Sequence, residues 1–376
     1  MTSLDLTTQS EKTRQNLLGL DRQGLEEFFV NLGEKPFRAR QIMQWIYRHK
    51  QLDLSQMTNL GKGLRSRLQN EAEICLPEIL LDKASVDGTR KWVLKLFDGN
   101  GIEVVLIPTE NRSTLCISSQ VGCILNCRFC STARQGFNRN LTTAEIIGQV
   151  MVAVQAIEES DSIVAPLTNI VLMGMGEPLL NFDNVVRSLN VLTDDLAFGL
   201  SKRRVTLSTA GVVPMFDELA KTGVSLAVSL HAVSDSVRDK LVPLNKKYPI
   251  RELLAACRRY VQGKKQRRIT FEYVMLDGVN DSLEDARELV RLLSGIPAKV
   301  NLIPFNPFPG ADYRCSDKDA IKRFGDVLMR AGFMTIVRST RGEDIDAACG
   351  QLVGQVIDRT RRQQRLKFSD VLPLSS

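Results

Sequence analysis

Cys123, Cys127 and Cys130 crowd three thiols into the run Cys123-Ile-Leu-Asn-Cys127-Arg-Phe-Cys130. Three thiolates on one loop are close enough to hold three irons of a cubane cluster, and the fourth iron has no local cysteine. Clusters that only carry electrons are normally closed by four cysteines, so an open iron predicts that a substrate or cofactor coordinates there. S-adenosylmethionine can do so through its amino and carboxylate groups. A structural zinc site is the competing reading, but zinc ligands usually come as paired CxxC or HxxxH elements, which this run does not supply.

Such a loop needs a frame to aim it. From about residue 112 short β-rich runs alternate with amphipathic helical segments. The strands are STLCISS, NIVLMGM, RVTLSTA, SLAVSLHA, ITFEYVML and VNLIPFNP, and the helices run from TAEIIGQVMVAVQAIEE to DKDAIKRFGDVLMRAG. Alternating β and α predicts a parallel sheet, and six units suit either an incomplete (β/α) barrel or a doubly wound sheet. In both, function sits beyond the carboxyl ends of the strands. The chemically loaded phrases fall there: CILNCRFC, GMGEP, STAG, SLH and PFNP. Upstream, LDRQGLEEFFVNLG, ARQIMQWIYRHK and MTNLGKGLRSRLQNE carry apolar residues at helical spacing, and Asp98-Gly99-Asn100-Gly101 predicts a hairpin between two strands. The expected organisation is a helical accessory domain over residues 1–95, a catalytic domain over 96–350 and a basic C-terminal helix or tail over 351–376.

The 376 residues are 43% hydrophobic and 25% charged, which excludes a disordered or fibrous chain and exceeds the usual single core. A formal net charge of +7 fits a polyanionic partner. No stretch approaches the ~20 apolar residues of a membrane helix, and the start MTSLDLTTQSEKTRQ lacks a signal pattern, so a cytoplasmic protein with no membrane partner is expected. There the eight cysteines read as ligands, catalysts or packing. Arg38, Arg40, Arg48, Lys50, Lys62, Arg65 and Arg67, with Trp45 and Tyr47, suggest a helical surface that grips folded RNA through phosphates and stacking.

Taken together, VGCILNCRFCSTARQGF, MGMGEPLLN, LSTAG, SLHA, NLIPFNP and RGEDIDAACGQL resemble the radical S-adenosylmethionine family of dual-specificity RNA methyltransferases, which methylate adenine C2 in 23S ribosomal RNA and in tRNA. The resemblance covers about residues 100 to 355, and the amino-terminal part matches that family's accessory domain in length. It implies an α/β fold, a partial (β/α)6 barrel of the radical S-adenosylmethionine type with a small helical N-terminal domain. It also implies a 4Fe-4S cluster on Cys123, Cys127 and Cys130. Two molecules of S-adenosylmethionine per turnover would be bound by Gly176, Glu177, Ser208, Ser229, Leu230, His231 and Asn306.

The resemblance further implies that Cys349 takes a methyl group from one S-adenosylmethionine. A 5′-deoxyadenosyl radical from the second removes hydrogen from that S-methyl group, and the methylene radical adds to adenine C2. Glu103 then removes the ring proton, and Cys116 attacks the Cys349 sulfur to release the product, leaving a disulfide bond. The implied substrates are a peptidyl-transferase-centre adenine of 23S ribosomal RNA and the adenine 3′ of the tRNA anticodon, with an electron donor such as flavodoxin as a further partner. The alternatives are C8 methylation of the same ribosomal adenine, as in a sister family, and a non-catalytic iron–sulfur RNA-binding protein. By composition alone Cys116 and Cys349 are packing thiols, and Cys75, Cys257 and Cys315 match no functional position.

Overall fold

The computed structural model describes residues 14–159, 165–263 and 267–354. The expected C-terminal tail therefore lies, beyond residue 354, outside the described residues. At the amino end, α1 (Arg22–Asn31), α2 (Arg38–Met43) and α3 (Lys62–Glu71) bury Leu25, Phe29, Ile42, Met43, Leu64 and Leu68, the spacings that the helical periodicity predicts. Asp21 caps α1 by accepting from the Gly24 amide, and α2 runs on into a π-helical turn at Gln44–Arg48.

The rest is built on one ten-stranded sheet. An antiparallel limb, β1 (Glu78–Ala84), β2 (Arg90–Lys95) and β3 (Gly101–Thr109), leads into β4 (Arg112–Cys116). From β4 onward every pairing within this sheet is parallel. The chain passes through α4 (Thr143–Glu158), β5 (Leu167–Leu172), α5 (Phe182–Thr193), β6 (Val205–Thr209), α6 (Phe216–Thr222) and β7 (Ser225–Ser229). It continues through α7 (Asp235–Leu241), α8 (Ile250–Val261), β8 (Ile269–Met275), α9 (Leu283–Leu293), β9 (Ala298–Pro304), α10 (Lys318–Arg330) and β10 (Met334–Val337).

All six expected βα units form, and a seventh parallel strand, β10, closes the series. Its Met334, Ile336 and Val337 are exposed on the sheet edge, so no buried apolar run marks it in the sequence. Strand β8 is buried at all seven positions, as a parallel strand covered on both faces must be. The hairpin at Asp98–Gly101 joins β2 to β3 as its turn residues predict. Strand β1, missed in the sequence, and β2 both hydrogen-bond into the main sheet although they precede residue 96.

Helix α4 opens on a capping box between Thr142 and Glu145 and is buried almost all round. It packs beside α5, and the turn Leu17–Gly19 packs on it from the amino-terminal side. Polar ties fasten the same docking: Arg22 pairs with Asp194 and Asp195, Asn190 donates to Asp21 at 2.8 Å, and Arg48 donates to the Asp195 carbonyl at 2.7 Å. Among the described residues no helix is long and apolar enough to cross a membrane.

Candidate active site

Between β4 and α4 the chain makes a small antiparallel pair, Gln120–Gly122 with Phe137–Asn140. The residues between these strands form a pinched excursion that carries the three clustered cysteines. The neck is tight: the Cys123 amide donates to the Gly136 carbonyl at 2.8 Å, and a Cβ on Gly122, at φ +73°, would stand 2.2 Å from that same oxygen. Within the loop the Cys130 amide donates to the Cys127 carbonyl at 3.3 Å.

All three sulfur-bearing residues line one cavity at the carboxyl ends of the parallel strands, and this cavity opens to solvent. Burial raises the Cys123 and Cys130 thiols above the ordinary thiol value, and the neighbouring Cys127 and Cys130 raise Cys123 further. Thiols that disfavour their own ionisation in a buried wall are a donor set that the positive charge of iron stabilises. Among the described residues no three His, Cys, Asp or Glu side chains gather as a single-ion site. Tetrahedral zinc would hold its sulfurs about 3.8 Å apart, whereas a cubane puts each cysteine on a different iron and needs no such crowding. The residues present fit the cluster.

Around the cavity stand Gly176, Glu177, Ser208, Ser229, His231, Asn306 and Cys349. Glu177 is 3% exposed, and its two carboxylate oxygens accept from the Leu179 amide at 3.1 Å and the Ala210 amide at 2.7 Å. Burial still pushes its carboxyl up to about 7, outweighing those bonds. A ligand ammonium placed against it would restore the charged form, which suits the methionine end of S-adenosylmethionine.

His231 is buried at φ +60°, stacked edge-on to Phe129 with centroids 4.5 Å apart. Burial pushes its imidazolium down to about 3, so the ring is neutral. Nδ1 accepts from the Val274 amide at 3.0 Å, which leaves the proton on Nε2 as a donor. Leu230, by contrast, does not line the cavity; it is fully buried and its amide donates to the Glu272 carbonyl. Asn306 donates to the Cys349 carbonyl at 3.1 Å and accepts from the Thr340 hydroxyl at 3.0 Å.

Cys349 reaches the cavity on the segment after β10 and is exposed. Half-buried Cys116, at the end of β4, is its electrostatic neighbour: burial first and Cys349 second push the Cys116 thiol up to about 12, with Arg338 opposing. All eight cysteines are free, so the disulfide bond expected from the sequence is corrected to two separate thiols at Cys116 and Cys349. Glu103 stands apart from the cavity lining. Its carboxylate pairs with Lys91 Nζ at 3.2 Å, both side chains 6% exposed, and accepts from the Val353 amide at 2.9 Å.

Three groups escaped the sequence reading. Arg338, in the cavity wall, has its charge stabilised by Cys349, Glu272 and Cys116. Glu272 faces Arg338 Nη1 at 3.8 Å, and its Oε2 is buried without a hydrogen-bond partner. Lys91 is the third. Glu272 had a signal, being the one carboxylate in the apolar run ITFEYVM; Arg338 and Lys91 follow no motif.

The expected RNA-gripping surface is narrowed. Tyr47 is buried with its ring 5.2 Å from Phe198, Lys50 pairs with Glu158, and Arg65 and Arg67 donate to the carbonyls of Ser55 and Leu32. Arg40 and Lys62 remain exposed. Lys202, Arg203 and Arg204 precede β6 and so stand at the amino ends of the strands, away from the cavity mouth.

Residues 15–74 match the profile of the ribosomal RNA large subunit methyltransferase N-terminal domain, and residues 117–293 match the radical SAM superfamily. The chain is 58% identical to the dual-specificity RNA methyltransferase RlmN of Marinobacter nauticus, over 96% of this chain and 98% of that protein. It is 58% identical to the protein of the same name from Stenotrophomonas maltophilia, over 93% and 90% of the two chains. The crystal structure of a radical SAM methyltransferase from Sphaerobacter thermophilus superposes with a TM-score of 0.83 at 45% identity, covering 90% of this chain and 99% of that one. A 4Fe-4S cluster and S-adenosylmethionine are accordingly its cofactors. This radical S-adenosylmethionine methyltransferase belongs to the dual-specificity RNA methyltransferase RlmN family.

Proposed function

We propose that the protein methylates C2 of an adenine in 23S ribosomal RNA and of the adenine 3′ of the anticodon in tRNA, using Cys349 as the methyl carrier. The observation that supports this most is the meeting of Cys349 with Cys123, Cys127 and Cys130 in one cavity, although 219 positions separate Cys130 from Cys349 (349 − 130). A merely cluster-binding protein has no use for a further exposed thiol there.

When bound, the cluster and S-adenosylmethionine supply the methyl group and the carbon-radical chemistry. Cys349 accepts the methyl as a thiolate, and Arg338 is the cation beside it. Its exposure leaves room for an adenine unstacked from folded RNA. Glu177 holds the cofactor ammonium, while the Nε2 hydrogen of neutral His231 is available to a cofactor oxygen. In this reading Glu103 takes the ring proton, and Cys116 attacks the Cys349 sulfur, breaking the bond from that sulfur to the transferred carbon, which takes up a proton as the product is freed. Reduction of the cluster is assigned to a donor such as flavodoxin.

The test is mass spectrometry of modified adenosines after anaerobic reaction with 23S ribosomal RNA fragments and with tRNA. 2-Methyladenosine in both is expected. 8-Methyladenosine in its place, or no modified adenosine in either RNA, overturns the reading.

A further inference from the structure

The segment from Arg338 to Gly354 leaves the last strand and crosses back over the cavity to the opposite limb of the sheet. Ile345, Ala347, Ala348 and Leu352 are buried and pack the segment down, while Cys349 between them is exposed and Gly350 follows. Two further ties are polar and distant. Lys91 Nζ on β2 donates to the Asp346 carbonyl at 3.0 Å, and the Glu103 carboxylate on β3 accepts from the Val353 amide at 2.9 Å. Lys91 and Glu103 face each other across the β2–β3 pair at 3.2 Å, each 6% exposed. One buried ion pair thus grips the main chain three residues before Cys349 and four residues after it (349 − 346 and 353 − 349).

The grip bears on a bent backbone. Asp346 has φ +52°, a left-handed conformation that a non-glycine residue keeps only when its surroundings impose it. A buried ion pair is a costly way to add stability and is retained where its remaining hydrogen-bonding capacity is used. Here both partners spend that capacity on the same segment.

The geometry points to Lys91 and Glu103 as positioning residues that latch the Cys349 segment over the cavity. Glu103 has this role in addition to, and separably from, any proton transfer. The inference rests on Cys349 being the methyl carrier only for its catalytic consequence; the latch itself is a statement about the segment. While the latch is closed, Glu103 Oε1 faces Lys91 and Oε2 faces the Val353 amide, so its oxygens serve the chain rather than a substrate.

The experiment compares the full-length, cluster-loaded wild-type protein with Lys91→Met, Glu103→Gln and the double variant Lys91→Met/Glu103→Leu. The double variant removes both ties without stranding a buried charge. Amide hydrogen exchange over residues 342–354 is measured by mass spectrometry, together with the methyl content of Cys349 after incubation with S-adenosylmethionine. In the double variant and in Lys91→Met, exchange in that segment should rise about tenfold or more while β8 and β9 stay protected, and Cys349 methylation should fall about tenfold at unchanged iron content. Glu103→Gln, which keeps an acceptor for the Val353 amide, should show a smaller rise in exchange.

Wild-type exchange in this segment of the double variant overturns the latch. So does full Cys349 methylation in Lys91→Met, because a pure base role for Glu103 would spare that step. If wild-type Cys349 itself never carries a methyl group, the proposed function fails while the exchange result still decides the latch.

Discussion

The cavity is walled by two cysteine-bearing segments that are secured in opposite ways. The loop holding Cys123, Cys127 and Cys130 is cinched locally, by the Gln120–Gly122 and Phe137–Asn140 pair and the Cys123 to Gly136 bond at its neck. The segment holding Cys349 has no such neck. It is tied to Asn306, Lys91, Glu103 and, through the Leu352 carbonyl, to the Thr132 hydroxyl at 2.6 Å. The contrast teaches that the three-cysteine loop is a property of one stretch of chain, whereas the placement of Cys349 is a property of the whole fold.

Replacing any one of Cys123, Cys127 or Cys130 with Ala should give the largest effect: loss of the brown cluster absorbance and of 5′-deoxyadenosine formation together. Turnover surviving in one of these variants would break the assignment of the first segment. Next, Cys349→Ala should retain the cluster absorbance yet methylate no RNA. Cys116→Ala should trap a covalent protein–RNA complex that nuclease trims to a nucleotide-bearing peptide containing Cys349. An adduct in Cys349→Ala, or none in Cys116→Ala, would reverse the two roles.

Glycine substitutions sharpen the difference in anchorage. In Gly122→Ala the new Cβ has backbone 2.2 Å away and a φ of +73° to satisfy, so a loss of about 3 kcal/mol in unfolding free energy is expected. In Gly350→Ala the φ is +84° but the nearest neighbour stands at 3.4 Å, so about 1 kcal/mol is expected. Denaturant melts of the two variants that agree, or that reverse this order, would erase the distinction.

The smallest effect is in pH. Glu177 must be ionised to pair with a cofactor ammonium, and its folded value of about 7 lies above the ordinary 4.5. The carboxylate is therefore lost as pH falls through 7, and S-adenosylmethionine affinity should drop about fivefold between pH 7 and 6. The same raised value means that burying Glu177 costs stability increasingly as pH rises from 4.5 through 7. Calorimetric affinities that do not change over pH 6–8 would remove Glu177 from the ammonium site.

This asymmetry also governs how far the sequence could be read. Local signals were legible: six strands of apolar, β-rich residues, the hairpin at Asp98–Gly101, and the CxxxCxxC spacing all belong to short windows. Edge strands were not, because EILLDKA and MTIV leave apolar side chains in solvent and so lack the burial pattern that marks a strand. Lys91 and Arg338 were invisible for a different reason. Their partners lie 255 positions away at Asp346 and, for Arg338, 66 positions away at Glu272 (338 − 272). Tyr47 misled because an aromatic among basic residues looks like a stacking platform until Phe198 is seen to cover it.

The ties at Lys91, Glu103 and Thr132 have a consequence for the order in which the site comes into being. They close loops of 255, 250 and 220 residues, the kind of contact whose entropy is met only after the intervening chain is in place. A growing polypeptide exposes Cys123, Cys127 and Cys130 with most of the parallel strands still unmade, and Cys349 follows only after all of them. The loop with Cys123, Cys127 and Cys130 can thus close on its own neck before the Cys349 segment is available, and the cavity is complete only when the segment that follows β10 has folded home.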